Sequence, residues 1–313
     1  MLSDQIGKIF DIQRFALNDG PGIRTTIFMK GCSLACAWCH NPESWDVKSE
    51  LGFKEDKCSL CKNCEDVCEY DVHSFENGKH LLDRSKCQLC GKCVEVCSEN
   101  ALKIYGEDYT TEDLYSLVQK DKVYYEESGG GITISGGEPL QQWQFVKEVF
   151  RLAKMDNIHT CLDTSGYADT SVIEKLISAV DLFLYDYKLS NEDDYSSYSK
   201  IDKEIVINNL RILNKNDKEV ILRCPIVNEI NDNEYHVNEI IQLANKYKNI
   251  KQIDLLTYHN YGENKYLELG RQKKFEIQNE INSKNLNMIR EHFVKNLDIP
   301  VNISNNDYEV ESN

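Results

Sequence analysis

Three thiols crowd one short loop of this 313-residue chain. Cys32, Cys36 and Cys39 lie in Gly31-Cys32-Ser33-Leu34-Ala35-Cys36-Ala37-Trp38-Cys39-His40, directly after the β-branched run from Ile23 to Phe28. Iron-sulfur clusters are normally held by four thiolates, so a tight group of three leaves one iron of a four-iron cluster with an open position for a small molecule. An open iron points to catalysis more than to simple electron carriage.

Eight further cysteines form two runs, Cys58, Cys61, Cys64, Cys68 and Cys87, Cys90, Cys93, Cys97, each member of the second lying 29 residues after its counterpart. Lys57/Lys86, Leu60/Leu89 and Val67/Val96 repeat in the same register, which marks an internal duplication. Each half reads C-x2-C-x2-C-x3-C and resembles a bacterial two-cluster ferredoxin, in which the fourth cysteine of each run ligates the partner cluster. That resemblance implies one cluster on Cys58, Cys61, Cys64 and Cys97, and another on Cys87, Cys90, Cys93 and Cys68. Glu69 and Ser98 stand where such runs usually carry proline. The alternative is a pair of structural zinc sites, against which stand eight cysteines with no histidine in place. Cys161 and Cys224 fit neither set and read as buried thiols.

The duplicated segment, residues 48–106, is too short to build a hydrophobic core, and two clusters would replace one. It interrupts a larger unit, residues 1–47 and 107–313, whose apolar runs alternate with amphipathic segments at βα spacing. Expected strands are Ile23–Met29, Ile132–Ser135, Ile158–Asp163, Leu182–Tyr187, Val220–Cys224 and Ile253–Tyr258. Phe145, Val149 and Ala153, then Val172, Leu176 and Val180, then Val237, Ile241 and Ala244 each mark one buried helix face. The expected fold is α/β, an incomplete (βα)6 parallel barrel with an inserted ferredoxin-like two-cluster domain. Cys32 to Cys39, Gly136-Gly137-Glu138-Pro139, Asp163-Thr164, Asp186 with Lys188, Arg223 and His259 then all fall at or just past strand C-termini, where barrel sites are built.

A formal net charge of −16 repels phosphate backbones and anionic lipid heads, making nucleic acid and membranes poor main partners. Apolar residues make up 41% and charged residues 28%, ordinary for a soluble globular protein, and no apolar stretch is long enough to span a bilayer. Met1 to Ile6 shows no basic leader or apolar targeting region, so the cytoplasm is expected. In that compartment, thirteen cysteines with clustered two-residue gaps read as metal ligands rather than disulfides.

The C-x3-C-x2-C spacing with an aromatic residue before the last cysteine resembles the radical S-adenosylmethionine signature. Nearly the whole chain resembles a glycyl radical enzyme activating enzyme of the subgroup with a ferredoxin-like insert. Asp19-Gly20-Pro21-Gly22-Ile23-Arg24, Ser135 to Pro139, Asp163-Thr164-Ser165-Gly166, Tyr185 to Lys188, Arg223-Cys224-Pro225 and Tyr258 to Tyr266 carry that resemblance. It implies reductive cleavage of S-adenosylmethionine to a 5′-deoxyadenosyl radical, which removes an α-hydrogen from one glycine of a partner glycyl radical enzyme.

By the same resemblance, Cys32, Cys36 and Cys39 hold the catalytic cluster, one of three 4Fe-4S clusters. Gly136 and Gly137 let backbone approach the methionyl amine, with Glu138 as a further acceptor or a local anchor. Asp163 and Thr164 lie near the ribose and sulfonium, and with Asp186 are expected to hold a monovalent cation. Lys188 and His259 attend the methionyl group, Trp38 the adenine, and Arg223 calls for a buried carboxylate partner. Asp19 and Arg24 lie beside the partner's glycine loop. A flavodoxin or ferredoxin is the expected electron donor, and a monomer the expected state.

Two readings compete. A radical peptide maturase or small-molecule radical enzyme usually carries its auxiliary cysteines C-terminally, where this chain has only Cys224. A multi-cluster electron-transfer protein leaves the Asp163, Lys188 and His259 motifs without a role. Among activases, the motifs resemble those serving diol or glycerol dehydratases, hydroxyproline dehydratase, choline lyase and arylacetate decarboxylases alike.

Overall fold

The computed structural model describes residues 5–272 and 281–304. Strands β1 (Ile6–Ala16) and β2 (Arg24–Met29) pair antiparallel, and the chain then leaves the main sheet. It forms β3 (Glu50–Phe53), the hairpin β4 (His73–Glu76) and β5 (Lys79–Leu82), and β6 (Leu102–Tyr105), which closes antiparallel on β3. Strand β7 (Glu107–Thr110) returns to pair with β1. The rest alternates with helices: β8 (Gly131–Gly136), β9 (His159–Thr164), β10 (Leu182–Asp186), β11 (Glu219–Ile226), β12 (Ile250–Thr257) and β13 (Val301–Ser304).

One nine-stranded sheet results, in the order β13-β12-β11-β10-β9-β8-β2-β1-β7, parallel from β2 to β13. Parallel strands covered by helices on their crossovers are buried through and through, and Gly131 to Ser135 of β8 are all buried. The helices follow the same logic. Trp143–Met155 buries Phe145, Val146, Val149, Phe150 and Ala153, and Glu234–Lys246 begins where the Asn233 side chain accepts the His236 N–H.

All six expected strands are present. The sheet adds three: β1, which pairs antiparallel with both β2 and β7 and has no clean alternation of buried and exposed residues, and the two four-residue edge strands β7 and β13. The parallel set therefore numbers seven strands, not six. Two placements are corrected. Helix Thr170–Leu176 ends before Val180, which packs from the following turn, and Ile173 joins Leu176 on the buried face where Val172 was expected. Arg223 lies inside β11, not at its end, but pairs in register with Asp186, the last residue of β10, and so reaches the same rim.

The lobe from β3 to β6 repeats its backbone as it repeats its sequence. Leu60 and Leu89, Lys62 and Gly91, Asp71 and Asn100 all take left-handed φ values, pairwise 29 residues apart. Its hairpin turns through Asn77 (φ 51°) and Gly78 (φ 76°), as two-residue hairpins require. No helix among the described residues is long and apolar enough to cross a membrane.

Candidate functional site

At the C-terminal ends of the parallel strands lies a cavity of about 240 Å³. The loop after β2 brings Cys32, Cys36, Trp38 and Cys39 to it; β8 brings Gly136 and Gly137, β9 brings Asp163 and Thr164, and β10 and β11 bring Asp186, Lys188 and Arg223. The three thiols are free, and burial pushes that of Cys39 up to about 11 and that of Cys32 higher still. Such thiols stay protonated until a metal displaces the proton. Trp38 is buried (6% exposed) and tilted against Tyr198.

The charged wall is internally paired. Arg223 Nη1 lies 3.1 Å from Asp163 Oδ2 and 3.8 Å from Asp19 Oδ1, so the expected carboxylate partner exists. Ser135 Oγ donates to the same Asp163 oxygen at 2.6 Å. Asp163 Oδ1, in contrast, is buried without a hydrogen-bond partner among the described residues, in a carboxyl that burial raises to about 6 against the pull of Arg223. A buried acceptor left open in a cavity calls for a donor from a ligand. Lys188 Nζ donates to Asp186 Oδ2 at 2.6 Å, and although burial opposes its charge, Asp186 holds the ammonium well above its ordinary range. Asp186, expected beside a monovalent cation, thus already has a cation of the chain's own.

The structure makes three expected roles more specific. Glu138 does not line the cavity: its two oxygens accept from Thr164 Oγ1 (2.6 Å), Leu140 N (3.2 Å), Ser165 N (3.0 Å) and Ser165 Oγ, making it a clasp between the β8 and β9 loops. Arg24 is fully buried, bonded to Thr133 Oγ1 (2.6 Å), Ile132 O (2.6 Å) and Pro21 O (2.9 Å), so it shapes the loop beside Asp19 and presents nothing to a partner. Gly137 lines the cavity and is also required by packing, since a Cβ there would stand 2.4 Å from Gly31 O.

A second cavity, of about 390 Å³, adjoins the first through Asp163 and Arg223 and opens beside Leu17, Asp19 and His259. His259 lines this one, its ring stacked 4.1 Å from that of His40. Asp19 accepts from Thr26 Oγ1 at 2.8 Å.

In the β3–β6 lobe two recesses of about 20 Å³ each are lined by the two crossed cysteine sets: Cys58, Cys61, Cys64 and Cys97 in one, Cys68, Cys87, Cys90 and Cys93 in the other. Sequence reasoning placed no histidine here, yet His80 Nδ1 lies 3.5 Å from Cys58 Sγ and its Nε2 lies 2.9 Å from His73 Nδ1. Both rings are buried, His80 lining the first recess and His73 the second. The signal was present: two histidines on one face of a hairpin between two cysteine runs.

A radical SAM superfamily model matches residues 26–244. The trans-4-hydroxy-L-proline dehydratase activating enzyme of Clostridioides difficile is 40% identical over 271 residues, 86% of this chain and 89% of that protein. The choline trimethylamine-lyase activating enzyme of Oleidesulfovibrio alaskensis is 36% identical over 94% of this chain and 97% of its own. This chain belongs to the radical SAM activating enzymes of glycyl radical enzymes. The activase also shares its fold with a radical SAM methyltransferase from Sphaerobacter thermophilus, at TM-score 0.51 and 13% identity over 90% of this chain and 66% of that one. Family membership places a 4Fe-4S cluster and S-adenosylmethionine among its cofactors, and the free thiols and open Asp163 acceptor fit them.

Proposed function

We propose that this activase holds its catalytic cluster on Cys32, Cys36 and Cys39 and activates a glycyl radical enzyme of the dehydratase or lyase kind. The carrying observation is that three free thiols and an unsatisfied buried carboxylate oxygen share one cavity at the strand ends. When bound there, the cluster and S-adenosylmethionine supply the one-electron cleavage that yields the hydrogen-abstracting 5′-deoxyadenosyl radical.

The chain's own residues orient and enclose. Asp163 Oδ1 offers an acceptor to a ligand hydroxyl or amine. Lys188, anchored by Asp186, places a fixed positive charge toward a ligand carboxylate, and Trp38 and Leu34 exclude water beside it. The adjoining cavity between Asp19 and His259 admits the partner's glycine loop to the reacting end.

The remaining organisation follows the same reading: an incomplete parallel barrel of residues 1–47 and 107–313, and a two-cluster insert of residues 48–106. The crossed cysteine sets lining two recesses support the insert clusters, making three in all. A flavodoxin or ferredoxin would reduce a cytoplasmic, monomeric enzyme. The first partner to test is a hydroxyproline dehydratase, on the 40% identity to its activase. Anaerobic incubation of the reconstituted protein with reductant and S-adenosylmethionine should release 5′-deoxyadenosine, and adding the partner should produce a glycyl radical by electron paramagnetic resonance. No 5′-deoxyadenosine would refute the reading.

A further inference from the structure

Behind the cysteine loop stands Trp45, a residue no motif singled out. Its carbonyl accepts the Cys32 N–H at 3.2 Å, and its indole Nε1–H donates to Cys39 Sγ at 3.2 Å. One residue thereby grips both ends of the three-cysteine run. The indole is itself held in place: the Tyr266 ring meets it edge-on at 5.5 Å, and the Arg271 guanidinium lies 5.2 Å over its face. Tyr266 Oη donates to Cys39 O at 3.0 Å.

The clamp reaches the root of the insert. Arg271 Nη2 donates to Glu50 Oε1 at 2.5 Å, and Glu50, the first residue of β3, also accepts from buried Lys30 at 3.0 Å. The chain from insert to catalytic loop runs Glu50, Arg271, Trp45, Cys39.

We propose that Trp45 is a positioning residue that sets the reduction potential of the three-cysteine cluster by donating its N–H to the Cys39 thiolate, held at that angle by the Arg271–Glu50 pair. Hydrogen bonds to cluster sulfurs tune potential, and a donor stabilises the reduced, more negative cluster, so it raises the potential. Because an aromatic cation contact and an edge-on ring fix the indole, the bond keeps its geometry as the cluster changes charge. The proposal rests on the cluster assignment above.

The test uses the full reconstituted chain. In Trp45→Phe the midpoint potential of the cluster whose resonance signal changes on adding S-adenosylmethionine should move to more negative values, while those of the insert clusters stay. An exchangeable proton coupled to the reduced cluster, seen by electron-nuclear double resonance in water and lost in deuterium oxide, should be missing from the variant. Arg271→Gln should shift the midpoint in the same direction by less. Where Trp45→Phe fails to load iron, benzothienylalanine at position 45 keeps the ring shape without the N–H and should give the same shift. An unmoved midpoint and an unchanged proton signal at full iron content overturn the role of Trp45. A wild-type protein that loads no iron on the three cysteines overturns the cluster assignment instead.

Discussion

Arg223 and Asp163 meet at 3.1 Å although the strands that carry them, β11 and β9, are separated by β10. The guanidinium crosses the end of Asp186's strand to do so, and its second carboxylate, Asp19, comes from the loop after β1. Four segments of the chain thus converge on one charge network at the cavity wall.

Removing one partner of such a buried pair strands the other. Arg223→Gln should destabilise the protein by about 3 kcal/mol at neutral pH, the usual scale for breaking a buried ion pair. Urea unfolding under anaerobic conditions measures it. A loss under about 1 kcal/mol, the range of exposed pairs, would mean the network is solvated.

Glu138 separates anchoring from ligand binding. Its oxygens are occupied by Thr164, Ser165 and Leu140, so Glu138→Gln should cost about 2 kcal/mol of stability through lost acceptors. The S-adenosylmethionine dissociation constant of the folded variant, by calorimetry, should change less than about threefold, since no oxygen is left over for the cofactor. A tenfold weakening at intact stability would return Glu138 to the ligand.

Crossed ligation is readable from iron counts. Cys97→Ala and Cys58→Ala should remove the same cluster, leaving about eight irons of about twelve, and should give matching resonance spectra. Cys68→Ala should match Cys87→Ala instead. Pairing of Cys97 with Cys87 in this comparison would show each run closing on itself.

Acid should weaken the fold through His236. Its ring is buried, with Nδ1 2.7 Å from Ser190 Oγ, and burial pushes its pKa down to about 3, with nearby Lys203 adding to the effect. Unfolded, it titrates near 6.5. The folded state therefore binds fewer protons below that value, and the associated stability, complete above about pH 6.5, is lost as pH falls toward 3. Between pH 7 and 5.5 the His236 share of that loss is about 1 kcal/mol. Stability of His236→Gln, measured at both values, should fall by that much less than wild type.

How far the sequence carried depended on the range of the physics involved. The six parallel strands were legible because buried strands leave short runs dominated by apolar residues, continuous in Leu182 to Tyr185 of β10 and alternating in burial along β11. The edge strands β7 and β13, and β1 beside β7, were not, because half-exposed residues near a sheet margin carry no such signature. Motif glycines were legible as glycines but not in purpose: the constraint on Gly137 is the carbonyl of Gly31, a contact made only on folding.

By itself, the sequence determined the chemistry. The spacing of Cys32, Cys36 and Cys39 and the duplication from Cys58 to Cys97 are local and covalent, and the expected ligand type and count are read from them without any fold. Tertiary structure alone decided which side chains were still available for that chemistry. Glu138 and Arg24 are held mostly by partners more than twenty residues away, Asp163 keeps one oxygen open among the described residues, and Trp45 and His80 reach cysteines through packing. Hydrogen-bond satisfaction is settled by neighbours in space, and no spacing along the chain records it.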